Sequence, residues 1–335
     1  MTMPPGPDHR NASGDSLSAA MRAAVFLNRY LPRGKGAVPR WIGGWLRREA
    51  GHSIVTRHGA KLVVEPSSLD VYACIVNSGR TWNWHVLTAC AAFLRPGDTF
   101  LDIGANIGFM SLELARVFSS QPGVPGIRVV AFEPLPPLVA AIRESVPINP
   151  GATIDVREEI VSDSTGTMDL FLGSHSIHAS TRAREEGSRT LRLPTVRVDD
   201  LVESGEIPPP HVIKIDVEGG EFAAFRGAEA TLRRYQPQII FESDENTARF
   251  GYTRRDLCGY LAGVAPYRFL NINPDGTGFS ALSPDSDASA DPADILATTL
   301  PEPAIAAASD SIRHWTRSGR IVPAAFAPSP GDRIS

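Results

Sequence analysis

From about residue 99 onward, short apolar runs alternate with amphipathic stretches. Thr99 to Ile103 reads as a buried strand, and Phe109 to Phe118 carries apolar residues at helical spacing. The alternation continues with strand 127–132, helix 135–146 and strand 153–158. Strand 167–172 and a stretch around 190–198 predict an antiparallel excursion. Strand 211–217, helix 221–235, strand 238–242, helix 253–262, strand 266–272 and a last strand near 294–298 follow. Strands separated by helices predict a doubly wound, mostly parallel α/β sheet with helices on both faces.

The pattern upstream differs. Ser53 to Arg57 and Lys61 to Glu65 flank His58-Gly59-Ala60 and predict a β-hairpin. A helix is expected from about Trp84 to Leu94, stopped by Pro96-Gly97. Met21, Val25, Leu27 and Leu31 suggest one short helix; Trp41, Ile42 and Trp45 suggest a second. Between Asp15 and Glu49 there is no acid, yet Arg22, Arg29, Arg33, Lys35, Arg40, Arg47 and Arg48 all fall there. Such a segment suits a lid, a dimer contact or an arm toward an anionic substrate or membrane surface. The favoured reading is two ordinary packed helices with a solvated basic face. Residues 1–16 are polar and proline-rich and are expected to be disordered. Residues 299–335 and Ser283 to Ala293 read as flexible on composition. The expected organisation is therefore a disordered 1–16, a helical and hairpin extension over 17–95, a core domain over 96–298 and a flexible tail over 299–335.

With 335 residues, the chain can form one large α/β domain with extensions or two small ones. A net charge of −4 offers no basic field for nucleic acid. Cys74, Cys90 and Cys258 lie far apart without a C-x-x-C pair, against a disulfide framework or structural zinc. No run approaches the ~18 apolar residues of a membrane span. The acids and prolines of the first 20 residues do not fit a secretory signal. A cytoplasmic protein is expected, and a homo-oligomer stays open.

The chemistry begins at Asp102-Ile-Gly104-Ala105-Asn106-Ile-Gly108, where a strand turns into a helix. A dinucleotide fingerprint starting at Gly104 needs glycines at 106 and 109, where the chain has Asn106 and Phe109. The D-x-G-x-x-x-G spacing suits S-adenosylmethionine (AdoMet), which has no phosphate. Gly104 lets the backbone pass close to the methionine portion, and Asp102 meets its amino group directly or through water. Strand 129–132 ends on Glu133, placed to accept both ribose hydroxyls as an ionised carboxylate. For adenine, the loop after strand 153–158 supplies Val161 and Asp163. Asp163 either accepts from the adenine amino group or caps the Ser162 to Gly166 turn.

A second motif, His211-Val-Ile-Lys-Ile-Asp-Val-Glu-Gly-Gly-Glu221, interrupts an apolar strand with charge. By alternation Lys214, Asp216 and Glu218 lean one way and Ile213, Ile215 and Val217 the other. Charges at the carboxyl end of a central strand are costly unless they pair or act, and open α/β sheets bind ligands there. Glu242 ends the next strand on the same rim. Glu221 is read as a helix-start acid or a functional one, and Lys214 as a partner of Asp216 or Glu242. Asp216, Glu218 and Glu242 are the candidates to take a proton. His175 and His178 of Ser174-His-Ser-Ile-His178 are a second candidate or two exposed loop histidines. Their H-x-x-H spacing is a poor magnesium site, and no metal is expected.

These blocks, with Gly227 and Pro237-Gln-Ile-Ile-Phe-Glu242, resemble the FkbM-type methyltransferases over roughly residues 60–298. The resemblance implies the class I AdoMet-dependent methyltransferase fold, a Rossmann-like seven-stranded sheet. It also implies methyl transfer to a hydroxyl of a small molecule, sugar, glycan or secondary metabolite. One position departs: the family often carries an acid shortly before the first core strand, and Asn83 stands there in Thr81-Trp82-Asn83-Trp84-His85. Three other readings compete. An N-methyltransferase lacks an N-P-P-Y-type motif here, a dinucleotide oxidoreductase lacks its glycines, and Asn83 is the one hint of a binding module without transfer.

Overall fold

A computed structural model describes residues 14–30, 37–46, 51–120, 125–172, 179–180, 189–285 and 291–323. The chain opens with helices α1 (Ala19–Tyr30) and α2 (Ala37–Trp45), then the hairpin β1 (Ser53–Val55) and β2 (Lys61–Val63). Helices α3 (Leu69–Asn77) and α4 (Trp84–Phe93) lead into β3 (Thr99–Ile103) and α5 (Phe109–Ser119). Next come β4 (Arg128–Phe132), α6 (Pro136–Ser145), β5 (Thr153–Arg157) and β6 (Ile160–Val161). The excursion follows as β7 (Gly166–Leu172), β8 (Ala179–Ser180) and β9 (Arg189–Val196). Then come α7 (Val198–Glu203), β10 (Val212–Ile215), α8 (Glu221–Arg226) and α9 (Glu229–Tyr235). The chain continues with β11 (Gln238–Ser243), α10 (Glu245–Arg249) and α11 (Arg254–Val264). Strands β12 (Arg268–Ile272), β13 (Phe279–Ala281) and β14 (Ala293–Thr298) precede α12 (Glu302–Ser318).

The central sheet runs β13-β12-β14-β11-β10-β3-β4-β5. Strands β5, β4, β3, β10 and β11 are mutually parallel, and β14 runs antiparallel between β11 and β12. Alternate residues feed two cores, as burial on both faces requires. Phe100, Val129, Val212 and Ile240 join one apolar cluster. Leu101, Val130, Ile213 and Ile239 join the other. β7 and β9 pair antiparallel outside this sheet, with β6 beside β9, and form the expected excursion.

Four expectations change. The sheet has eight strands, not seven, because the chain folds back from β12 through a turn into β13 before β14. The stretch 221–235 is two helices, not one. Gly227 backs onto the Ser162 carbonyl, where a β-carbon would lie 1.9 Å from the oxygen, and α8 ends there. Residues from 299 are not all flexible: α12 buries Ile305, Ala308, Ile312 and Trp315, a helical stripe that the alanine-rich composition conceals. Helix α4 packs against β10, β11 and β12, so a boundary at residue 95 severs a core helix from its sheet. Residues 1–13 and 324–335, and the greater part of the loop carrying Ser174 to His178, lie outside the described residues, and His175 and His178 with them.

The first two helices pack on α3, and α1 buries Met21, Ala24, Val25 and Asn28. Leu27, one of the apolar residues that suggest this helix, is 46 % exposed. Among the described residues, no helix is long and apolar enough to cross a membrane.

Candidate active site

The carboxyl ends of β3, β4 and β10 finish together, because Ile103 is in register with both Phe132 and Ile215. Beyond them opens a cavity of about 330 Å³. Gly104, Ala105, Asn106 and Glu133 line it, together with Asp216 and Glu218 and with Val161 and Ser162. Trp82, Phe109, Leu138, Met168 and Phe222 supply apolar wall. A mostly apolar cleft with a few convergent polar groups is the usual form of a small-molecule site.

The glycine turn is required by a close approach. Gly104 has φ +82°, and a β-carbon there would fall 1.9 Å from the Asp216 carbonyl oxygen. No L-residue fits that space. Glu133 holds the turn in place: its Oε2 accepts from the Asn106 N–H at 2.8 Å and its Oε1 from the Leu135 N–H at 2.9 Å. Glu133 is buried, and burial pushes its carboxyl up to about 7 while the two N–H bonds pull the other way.

Asp102, expected to meet a bound amino group directly or through water, lies behind the turn and not among the cavity-lining residues. Asp102 is the β3 neighbour of Lys214 on β10, so both project from the same face, and of the two only the longer lysine lines the cavity. Asp102 is fully buried, accepts from the Ser111 hydroxyl at 2.6 Å, and stands 3.5 Å from the Lys214 ammonium.

Lys214 joins the two motifs. Its Nζ donates to the Gly104 carbonyl at 2.9 Å and lies 3.4 Å from the Asp216 carboxylate. Burial works against the charge, but Asp216 and Asp102 outweigh it and hold the ammonium above its ordinary value. Burial likewise raises the Asp216 carboxyl, with Glu218 and Asp294 adding to the rise and Lys214 opposing it. Glu218 sits at φ +56° in the turn after β10 and accepts from the Asn246 amide at 2.9 Å.

Glu242 does not line the cavity. It neighbours Asp294 across β11 and β14, and burial, then Asp216 and Asp294, push it up to about 9. Burial and the neighbouring acids favour its neutral form, and of the three candidate acids only Asp216 and Glu218 line the cavity. Asp294 in turn contacts His85 Nε2 at 2.7 Å. Glu221 braces the turn: it accepts from the Val217 and Gly219 N–H groups and from the Tyr252 hydroxyl at 2.9 Å.

Gly108 and Asp163 also stand outside the cavity lining. Gly108 begins α5 at φ +77°, packed on Ile142; Asp163 is exposed and 3.9 Å from Arg226. Phe250, Tyr252, Met168 and Arg226 line the cavity without any local sequence signal. Ser162 had one, its position directly after Val161. Asn83, the residue that departs from the family pattern, also lines the cavity, in a left-handed conformation at φ +44°.

Residues 102–268 match the sequence model of the methyltransferase FkbM domain. Those residues are an FkbM methyltransferase domain. The domain begins at Asp102 and includes the glycine turn, Glu133 and the β10 motif. Among the chain's relatives, the hexuronic acid methyltransferase AglP of Haloferax volcanii is 33 % identical over 43 % of this chain and 55 % of its own length. The 31-O-demethyl-FK506 methyltransferase FkbM of Streptomyces tacrolimicus is 31 % identical over 41 % of this chain and 61 % of its own length. The chain thus spans little more than half of the relatives it matches. The solved methyltransferase FkbM of Methylobacillus flagellatus KT aligns at 18 % identity and a TM-score of 0.39, covering 69 % of this chain and 54 % of that one.

Proposed function

We propose that this protein is an AdoMet-dependent O-methyltransferase whose acceptor is a carbohydrate hydroxyl. The observation that carries this reading is the pairing of the Gly104 turn with Glu133 at adjacent strand ends of one cavity. Two buried polar atoms there have no protein partner: the Asn106 Oδ1 and the Ser162 Oγ. An unpaired buried polar group is costly, and a ligand with amine, hydroxyl and amide-like groups relieves both. A nucleoside bearing an amino-acid tail carries such groups.

In this reading Gly104, Ala105 and Asn106 hold the amino-acid end, Glu133 the ribose, and Val161 with Ser162 the adenine. When bound, AdoMet supplies a methyl group already activated by a sulfonium. The protein then has to align the acceptor, exclude water and remove one proton. Asp216 takes that proton, because it faces the cavity and carries a raised pKa beside a fixed ammonium. Glu218 holds the acceptor, and Trp82, Phe250 and Tyr252 exclude water. The carbohydrate class rests on the relative whose name records hexuronic acid as its substrate. A cavity edge with Asn83, Asp216 and Glu218 offers hydrogen bonds of the kind hydroxyl-rich acceptors make.

Calorimetry with AdoMet and with NAD tests the cofactor, and mass analysis of hexuronic acid glycosides incubated with AdoMet tests the transfer. Heat for AdoMet alone and a product one methyl heavier are expected. Heat for NAD and none for AdoMet would overturn the reading. Glu133→Gln should weaken AdoMet about tenfold, because an amide accepts at one oxygen only. Affinity for AdoMet should rise severalfold from about pH 6 to about pH 8, as Glu133 loses its proton and both oxygens become acceptors. The Gln variant should lose that dependence, and a pH slope that persists in it would remove Glu133 from the ribose contact.

A further inference from the structure

Among the described residues, seven large apolar side chains are exposed, and four of them sit on α1 and α2: Phe26 at 60 %, Leu27 at 46 %, Trp41 at 68 % and Trp45 at 79 %. Single exposed apolar residues are ordinary, but such a concentration of aromatic surface marks an interaction face. The two tryptophans stand one helical turn apart, edge to face, with ring centroids 6.2 Å apart.

These helices are held from the other side. Gly43 of α2 presses on the Pro66 turn, where a β-carbon would lie 2.0 Å from the Pro66 oxygen. Gly43 lies about two hundred degrees around the helix from Trp41 and from Trp45, so packing and tryptophans occupy opposite faces. Helix α1 is tied to the end of α3 by the Asn77 side-chain amide, which donates to the Val25 carbonyl at 3.0 Å. The tryptophan face is therefore presented by anchored helices and is not their core side.

The charge decides what the face meets. Residues 16–48 contain seven of the chain's 33 lysines and arginines and none of its 37 acids, in a protein of net charge −4. Globular partners present both signs of charge. A surface of uniform negative charge with an apolar interior complements a segment that is basic and aromatic at once. Tryptophan suits that boundary because its ring is apolar and its N–H reaches a polar neighbour.

We propose that α1 and α2 form a docking face that seats this protein on a bilayer bearing anionic headgroups, with Trp41 and Trp45 entering the headgroup boundary. The helices lie on the membrane and do not cross it. Docking places the methyltransferase domain beside a surface without altering its cavity, so it is independent of the acceptor named above.

The test is flotation of the full chain with vesicles of phosphatidylcholine alone and of phosphatidylcholine with phosphatidylglycerol. Binding to the anionic vesicles is expected, with little to the neutral ones and a marked loss at high salt, where exposed charges are screened. A Trp41→Ser, Trp45→Ser double variant should retain its thermal transition and bind at least roughly tenfold less. In the unaltered protein, brominated phosphatidylglycerol should quench tryptophan fluorescence, and this reading stands even if the double variant fails to fold. Absence of flotation, equal binding to both vesicle types, or full binding by a folded double variant would each overturn the proposal. So would a dimer in solution that the double variant converts to monomer while vesicles bind neither form, since the face would then join two copies of the chain.

Discussion

Asp216→Asn should lower methyl transfer to a hexuronic acid glycoside by roughly 10²- to 10⁴-fold, the usual loss when a positioned general base is removed. AdoMet binding should stay within about threefold, because Asn keeps the shape and Gly104 still passes beneath the Asp216 backbone. The pH profile separates a base from a mere acceptor contact. Burial raises the Asp216 carboxyl above the ordinary aspartate range, with Glu218 and Asp294 adding to the rise. The ionised form accepts the proton, so turnover should climb with pH through that raised value and flatten above it. The Asn variant should show a residual rate without that limb. Unchanged turnover, or an acid limb that survives, would transfer the role to Glu218, another acid lining the cavity.

Lys214→Met should cost about 3–5 kcal/mol of folding stability, the range for removing one partner of a buried ionic group. Methionine fills nearly the same space, so the loss is electrostatic. Without the ammonium, the fully buried Asp102 carboxylate keeps only the Ser111 hydroxyl, and the Gly104 carbonyl loses its 2.9 Å donor. Urea unfolding would measure this. Adding Asp102→Asn to Lys214→Met should recover a large part of the loss, because the stranded charge is then gone. A loss below about 1 kcal/mol for the single change would mean that water, or Asp216 in its protonated form, donates to the two stranded acceptors, contrary to their burial.

The strand-end geometry was legible because its signals are local. A glycine two residues past Asp102 and an acid directly after Phe132 state where a strand stops, whatever packs around it. The pairing of 167–172 with 190–198 was legible for a similar reason, since both runs alternate and a loop joins them. Register was not legible. Nothing within Asp102-Ile-Gly104 says that β10 aligns Lys214 beside Asp102 and sets its ammonium 3.5 Å from that carboxylate. The surroundings of Glu242 are hidden on the same ground. Ending on the same rim places it near Asp216, but its β14 neighbour Asp294 helps to hold it neutral. Tyr252 and Phe250 enter the cavity from a loop after α10, where no periodicity marks a lining residue. Composition concealed α12: alanine and proline suggest a tail, while Ile305, Ile312 and Trp315 fall on one buried stripe.

Helix α12 reaches back to the start of the fold. It packs on α4, where the Trp84 indole N–H donates to Thr316 at 3.1 Å, and Arg57 bonds the Gly319 carbonyl. Beyond it, the Ile321 N–H donates to the ring of His58, whose other nitrogen meets the fully buried Glu113. A recombinant fragment trimmed at residue 298 would strip this clasp from the hairpin and bare the underside of α4. Stop codons and fusion tags therefore belong after Pro323, even though every residue near the cavity is encoded well before it.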